Sequence, residues 1–269
     1  MDIDAVKRRR KELQDKINRN SSIWKPPIGK SKVRILPSKI NPANPFIEIW
    51  WHWRIGNNSV ICLKNNYGEK CPICEFASDL WKSDSKEDKE TAKKLFANLR
   101  FYVPVAVRGA EQEGPKYWGI GQTVYDTLTT ALEDSELGDF TDIASGRDVD
   151  IVVKAASETG KTYNSISAKF SYSNTVLHHD EVIIKKLLEE QKTVQELFPK
   201  PTFESCHELL EKWLNPTTEV VTDEEAATSE EGTTRHESHS SDVAPAESAG
   251  DDELSQRFAK LFKQKEKDS

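Results

Sequence analysis

The sequence predicts a mainly β protein with helices, into which a zinc-binding subdomain is inserted and onto which a disordered acidic tail is attached. Three observations predict this. Apolar and polar residues alternate through several short runs between Ser31 and Lys169, the period of half-buried strands. Three of the four cysteines lie behind one histidine in the stretch His52 to Cys74. After Asn215 the chain loses apolar residues and becomes rich in Glu, Ser, Thr and Ala, a composition that cannot bury a core.

Taken in order, Asp4 to about Arg19 is charged and helical in character and carries the run Lys7, Arg8, Arg9, Arg10 and Lys11. A Pro-containing link, WKPPIG, follows. KVRILP places Val33 and Ile35 on one side of a strand. FIEIWWHW puts Ile47, Ile49, Trp51 and Trp53 on one face, and Phe46, Glu48, Trp50 and His52 on the other. FYVPVAV turns Phe101, Val103, Val105 and Val107 inward and leaves Tyr102 outward. DVDIVVK and KTYNSISAKF give two more strands around an Ala-Ser-Glu-Thr-Gly turn. Helices are expected at about Phe76–Leu99 and at Thr123–Leu132. Two more are expected over DEVIIKKLLEEQKTVQELF and TFESCHELLEKWL, the last capped by Thr202. Near the end, Leu254, Phe258, Leu261 and Phe262 form a short amphipathic stripe. The boundaries are a basic arm at 1–22, a core at 23–215 with the zinc subdomain at about 46–100, and a tail at 216–269.

The cysteine-rich stretch reads as His-x9-Cys-x8-Cys-x2-Cys, with His52, Cys62, Cys71 and Cys74 as ligands. Structural zinc is closed by four thiolates and imidazoles. CPIC is a tight knuckle that places two thiolates on one ion. Gly56, Asn57 and Asn58 turn the strand of His52 into the strand expected to carry Cys62. Zinc deaminases pair their CxxC with a His-x-Glu whose glutamate moves protons. Trp53 and Arg54 follow His52 here, so a structural ion is expected and a zinc hydrolase is the weaker alternative. GKS at Gly29–Ser31 and GKT at Gly160–Thr162 lack the glycine a phosphate loop needs five positions earlier. Cys206 lies in line with Phe203, Leu210 and Trp213 and reads as core.

No apolar run reaches the roughly 20 residues that span a bilayer, and no apolar stretch follows the basic residues at the N-terminus. A reducing cytoplasm is expected. Met1 to Lys39 holds 12 Lys and Arg against 4 Asp and Glu, whereas Pro216 to Glu253 holds 1 against 12. A basic body with an acidic tail is the layout of a protein that regulates its contact with a polyanion. Aromatic residues alternate with Arg34, Lys39, Arg100, Arg108 and Lys116. Single strands are bound by such parts, with cations on phosphates and exposed rings on bases. Trp51 and Trp53 read as core, and Tyr102 and Tyr163 as the stacking candidates.

The order of these parts carries a resemblance: a basic arm, VRILPSK, His…Cys…CPIC, an aromatic-basic strand, EGPKYWGIGQTVYDTL and an acidic tail. It resembles the helix-destabilising single-stranded-DNA-binding proteins of T-even bacteriophages and their relatives over about Ser31 to Asn215. The resemblance implies an OB-fold core, one structural zinc on His52, Cys62, Cys71 and Cys74, and no enzymatic activity. It puts Phe101, Tyr102, Tyr117 and Tyr163 in a DNA cleft. It implies cooperative self-association through the Lys7–Lys11 arm and work in replication, recombination and repair in the host cytoplasm. Phage replication and recombination proteins would meet the tail at Leu254, Phe258, Leu261 and Phe262. A zinc-containing RNA-binding regulator is the alternative.

Overall fold

The computed structural model describes residues 3–56, 58–133, 137–215 and 254–262. Of the tail expected at 216–269, residues 216–253 and 263–269 lie outside the described residues. The chain divides into two compact units. The first holds residues 1–52, 61–69 and 97–201, and the second holds 53–60, 70–96 and 202–269.

Helix α1 (Ile3–Ser22) leads into β1 (Ile23–Trp24) and β2 (Gly29–Ile35). Next come β3 (Ile47–Ile55), β4 (Asn58–Ile61), α2 (Leu63–Tyr67), α3 (Pro72–Trp81) and α4 (Lys86–Leu95). They are followed by β5 (Asn98–Val107), a 3-10 turn at Glu111–Glu113, β6 (Lys116–Ile120) and α5 (Gln122–Ala131). The chain continues through β7 (Arg147–Lys154), α6 (Ala156–Thr159), β8 (Ser165–Asn174), α7 (Glu181–Glu189), α8 (Val194–Leu197) and α9 (Phe203–Leu214). Residues 254–262 form a further helix, α10.

The strands make one mixed sheet in the order β1-β6-β5-β2-β7-β8, with β3 also paired to β5 and to β4. The expected OB-type core corresponds to this sheet. Strand β5 is its axis. Ile47 to Trp51 pair with Tyr102 to Asn98, while Val33 to Ile35 pair with Val107 to Val105 further along. The expected alternation holds in β2, where Val33 and Ile35 are wholly buried, and in β5, where Phe101, Val103 and Val105 join them in the main core. Helix α5 adds Val124 and Leu128 to this cluster. Burying such side chains contributes about 1.5–3 kcal/mol each.

Five local features depart from the sequence reading. The helix expected from Phe76 to Leu99 is two helices, because Ser85 accepts from the Asp88 N–H and starts α4 anew, and Leu99 already belongs to β5. The long segment after Asp180 also breaks, at a capping box between Thr193 and Glu196. Cys62 sits at the cap of α2, not on a strand. Residues 161–163 form a bend before β8, so Tyr163 stands in that bend and not on a strand face. The short strand β6 was not anticipated, since KYWGI carries too few residues to show a period.

Candidate metal centre and nucleic-acid interface

His52, Cys62, Cys71 and Cys74 come together. One ligand atom from each lies within 4.8 Å of all the others, and all four residues are buried. His52 is supplied near the end of β3. The β3–β4 hairpin turns through Arg54 and Gly56, both in the left-handed region with φ of 57° and 62°. Cys62 is the N-cap of α2, and its Sγ accepts the Asn65 N–H at 3.3 Å. Cys71 is the N-cap of α3, with Pro72 opening the helix and Cys74 in its first turn. Both residues thus sit at the N-terminal end of α3, the end of a helix that carries positive potential.

Asn66 fixes the approach of the second ligand to the first. Its Oδ1 accepts the Trp50 N–H at 2.9 Å, and its Nδ2 donates to the carbonyls of Trp50 and Cys62, both at 2.8 Å. Cys62 N–H donates to the Trp50 carbonyl at 2.9 Å. This set of donors fits a metal. In a tetrahedral zinc site with Zn–S of about 2.3 Å, ligand atoms stand roughly 3.5–3.8 Å apart, within the observed spread. Four protein donors complete a tetrahedron.

The residues expected to contact DNA have different surroundings. Phe101 is buried and stacks on Tyr125, with ring centroids 3.7 Å apart and planes 3° from parallel. Tyr102 does point away from that core, as its alternation implies, but into a second apolar cluster with Ile49 and Ile61. Its ring lies 4.7 Å from Phe198 and is 5% exposed. Tyr117 is 1% exposed, and its hydroxyl donates to the Lys192 carbonyl at 2.8 Å and accepts the Lys192 N–H at 2.6 Å. Burial pushes both phenols up to about 12. Rings held this way cannot stack on a base without local rearrangement.

Arg34 is fully buried. Its Nε donates to Asp148 at 2.9 Å, and its Nη2 to the Thr175 carbonyl at 2.8 Å. Arg108 closes on the same Asp148 carboxylate at 2.7 Å. Burial lowers the Arg34 pKa from its ordinary value, against the opposing pull of Asp148. Both guanidinium groups are thus engaged by the Asp148 carboxylate. Arg100 donates to the Gly119 carbonyl at 2.9 Å, and Lys116 pairs with Glu113 at 3.1 Å. Lys39 is exposed, and its Nζ donates to the Glu189 carbonyl at 3.0 Å.

Tyr163 is the exception. It is 65% exposed, and Lys161 Nζ stands 5.9 Å from its ring centroid. A second pair sits on the same β7–β8 hairpin, where Tyr172 is 88% exposed and Lys169 Nζ lies 5.7 Å from its ring. The arm residues Lys7, Arg8, Arg9, Arg10 and Lys11 are all exposed on α1.

Residues 28–215 match the family described as gp32 DNA binding protein like. The chain belongs to this gp32-like DNA-binding family. The match spans more than half of the chain and includes the whole metal cluster and the hairpin. No curated protein matches the chain.

Within the gp32-like domain, sequence reasoning missed Tyr172. It follows Phe170 by two residues and shares its strand parity, so alternation assigns it inward. The main core ends at Phe170, and a register irregularity falls between Arg147 and Val149. Tyr172 therefore passes beyond the core. Gly119 was also missed. A Cβ there would meet the Tyr102 ring at 3.0 Å and Arg100 Nε at 3.2 Å, so its missing side chain admits both groups.

Proposed function

We propose that this gp32-like protein binds single-stranded DNA cooperatively and without sequence preference. The observation that carries this reading is the pair of exposed tyrosines on the β7–β8 hairpin, each with a lysine ammonium beside its ring, in a member of a DNA-binding family. The rings offer faces to unpaired bases, and the ammonium groups offer charge to phosphates. The exposed basic helix α1 supplies self-association along the strand. The role is in phage DNA replication, recombination and repair in the host cytoplasm, beside replication and recombination proteins. Titration with single-stranded DNA, single-stranded RNA and duplex at several salt concentrations tests the reading. Single-stranded DNA is expected to bind best and to weaken linearly in log affinity against log salt. Equal binding of duplex across that range overturns it.

The metal is zinc, and its role is structural: it ties β3 and the start of α2 to the CPIC knuckle. About one zinc per chain is expected by elemental analysis. Cys71→Ser or Cys74→Ser is expected to lower both zinc content and melting temperature.

A further inference from the structure

Helix α10 is held in the second unit by a built groove. Phe258 is 4% exposed. Its ring stands 5.5 Å from Phe76 and 4.7 Å from His207, and Phe262 stands 4.9 Å from His207 and 6.2 Å from Phe203. One residue before Phe258, Arg257 spreads its guanidinium over two acids. Nε donates to Asp79 at 2.8 Å, Nη1 to Asp88 at 2.7 Å, and Nη2 to the Asp79 carbonyl at 3.0 Å. Ser255 Oγ donates to the Leu214 carbonyl at 3.3 Å. The aromatic residues of the stripe that sequence reasoning offered to other proteins thus meet α3 and α9 of their own chain, and Arg257 beside them reaches α4.

The groove specifies its ligand closely: an arginine fork followed directly by an aromatic side chain, with a second aromatic one turn later. Residues 216–253 separate α9 from α10. At about 3.3–3.6 Å per residue, that stretch reaches at most roughly 130 Å, several domain diameters. That length of chain is enough for α10 to reach the groove of an adjacent copy.

We propose that α10 exchanges between copies, so that the 254–262 helix of one molecule occupies the α3–α9 groove of its neighbour. Every contact made within one chain is reproduced between two, so exchange forfeits no interface. The balance is set by the local concentration of grooves, which rises when copies line up on a strand. This last point rests on the single-strand reading above. The same exchange follows in concentrated protein without DNA.

Full-length protein grown in heavy and in light isotopes is mixed, placed on a long single strand, and cross-linked between lysines. Peptides joining Lys260 to the lysines of α4 are expected to include as many heavy–light pairs as like pairs. A yield confined to heavy–heavy and light–light pairs overturns the proposal. Concentrated protein without DNA is a parallel arm. A failure of strand binding, read separately on a short oligonucleotide, therefore does not imitate a failure of exchange. A second arm pairs full-length Arg257→Glu with full-length Asp79→Arg/Asp88→Arg. Alone, each is expected to lose amide-exchange protection over 254–262. Mixed, the intact Arg257 of one meets the intact Asp79 and Asp88 of the other, and protection slows exchange at least tenfold. Absence of slowing in the mixture counts against exchange.

Discussion

The buried tyrosines of the sheet and the exposed tyrosines of the β7–β8 hairpin differ in their surroundings more than in their sequence. Tyr102 and Tyr117 lie on strands beside Arg100 and Lys116, and Tyr163 and Tyr172 lie near Lys161 and Lys169. Each is an aromatic ring among basic residues. What separates them is the segment Lys192–Phe198, which supplies the backbone clasp on Tyr117 and the ring against Tyr102. Among the described residues, nothing comparable covers Tyr163 or Tyr172. The aromatic-basic pattern therefore marks rings able to serve a core or a ligand, and a distant stretch of chain decides between the two.

The sharpest way to break this comparison is Tyr117→Ala. It removes a large buried ring and leaves the Lys192 backbone without its partner, so a stability loss of about 3–5 kcal/mol is expected in denaturant unfolding. Unchanged stability would place Tyr117 with the hairpin rings. Next comes alkaline pH. The folded pKa values of Tyr102 and Tyr117 lie at about 12, above the ordinary tyrosine value near 10. Their contribution is complete below about pH 10 and is lost as pH rises through about 12. Phenolate absorbance should therefore include late-titrating groups that ionise together with unfolding. Smaller is the effect of Tyr163→Ala or Tyr172→Ala, expected to cost about 1–3 kcal/mol of single-strand affinity by titration, with melting unchanged. A drop in melting as large as that of Tyr117→Ala would erase the distinction. Smallest is Lys161→Gln or Lys169→Gln, each expected to reduce the slope of log affinity against log salt by roughly one.

Much of this was legible in the chain itself. The cluster of His52, Cys62, Cys71 and Cys74 could be found because chemistry restricts which side chains bind metals and the CPIC knuckle fixes two of them locally. Val33, Ile35, Phe101 and Val103 could be found because a strand exposes alternate faces. Arg34 could not: its partners Asp148 and Thr175 are more than a hundred positions away, and a basic residue in a strand gives no sign of a distant carboxylate. The burial of Tyr102 was hidden for a related reason. Alternation separates two faces of a strand but does not say that the second face is also covered. The aromatic stripe of α10 was visible, and the groove that receives it was not, because Phe76, Asp79, Asp88 and His207 meet only in the fold.

Asn66 has a consequence beyond placing Cys62. A strand whose neighbour ends early leaves backbone groups facing outward, and such an edge is a template for another chain. Strand β4 stops at Ile61, yet the Trp50 N–H is taken by the Asn66 amide, and the Trp50 carbonyl by Asn66 and the Cys62 N–H. One carboxamide thus imitates the missing residue of a strand and seals the edge of β3. Since Cys62 belongs to the cluster that could hold a metal, an ion bound there would hold that seal in place. Loss of an ion from that cluster would then open the edge of β3 to pairing with another chain, a hazard separate from any contact with DNA.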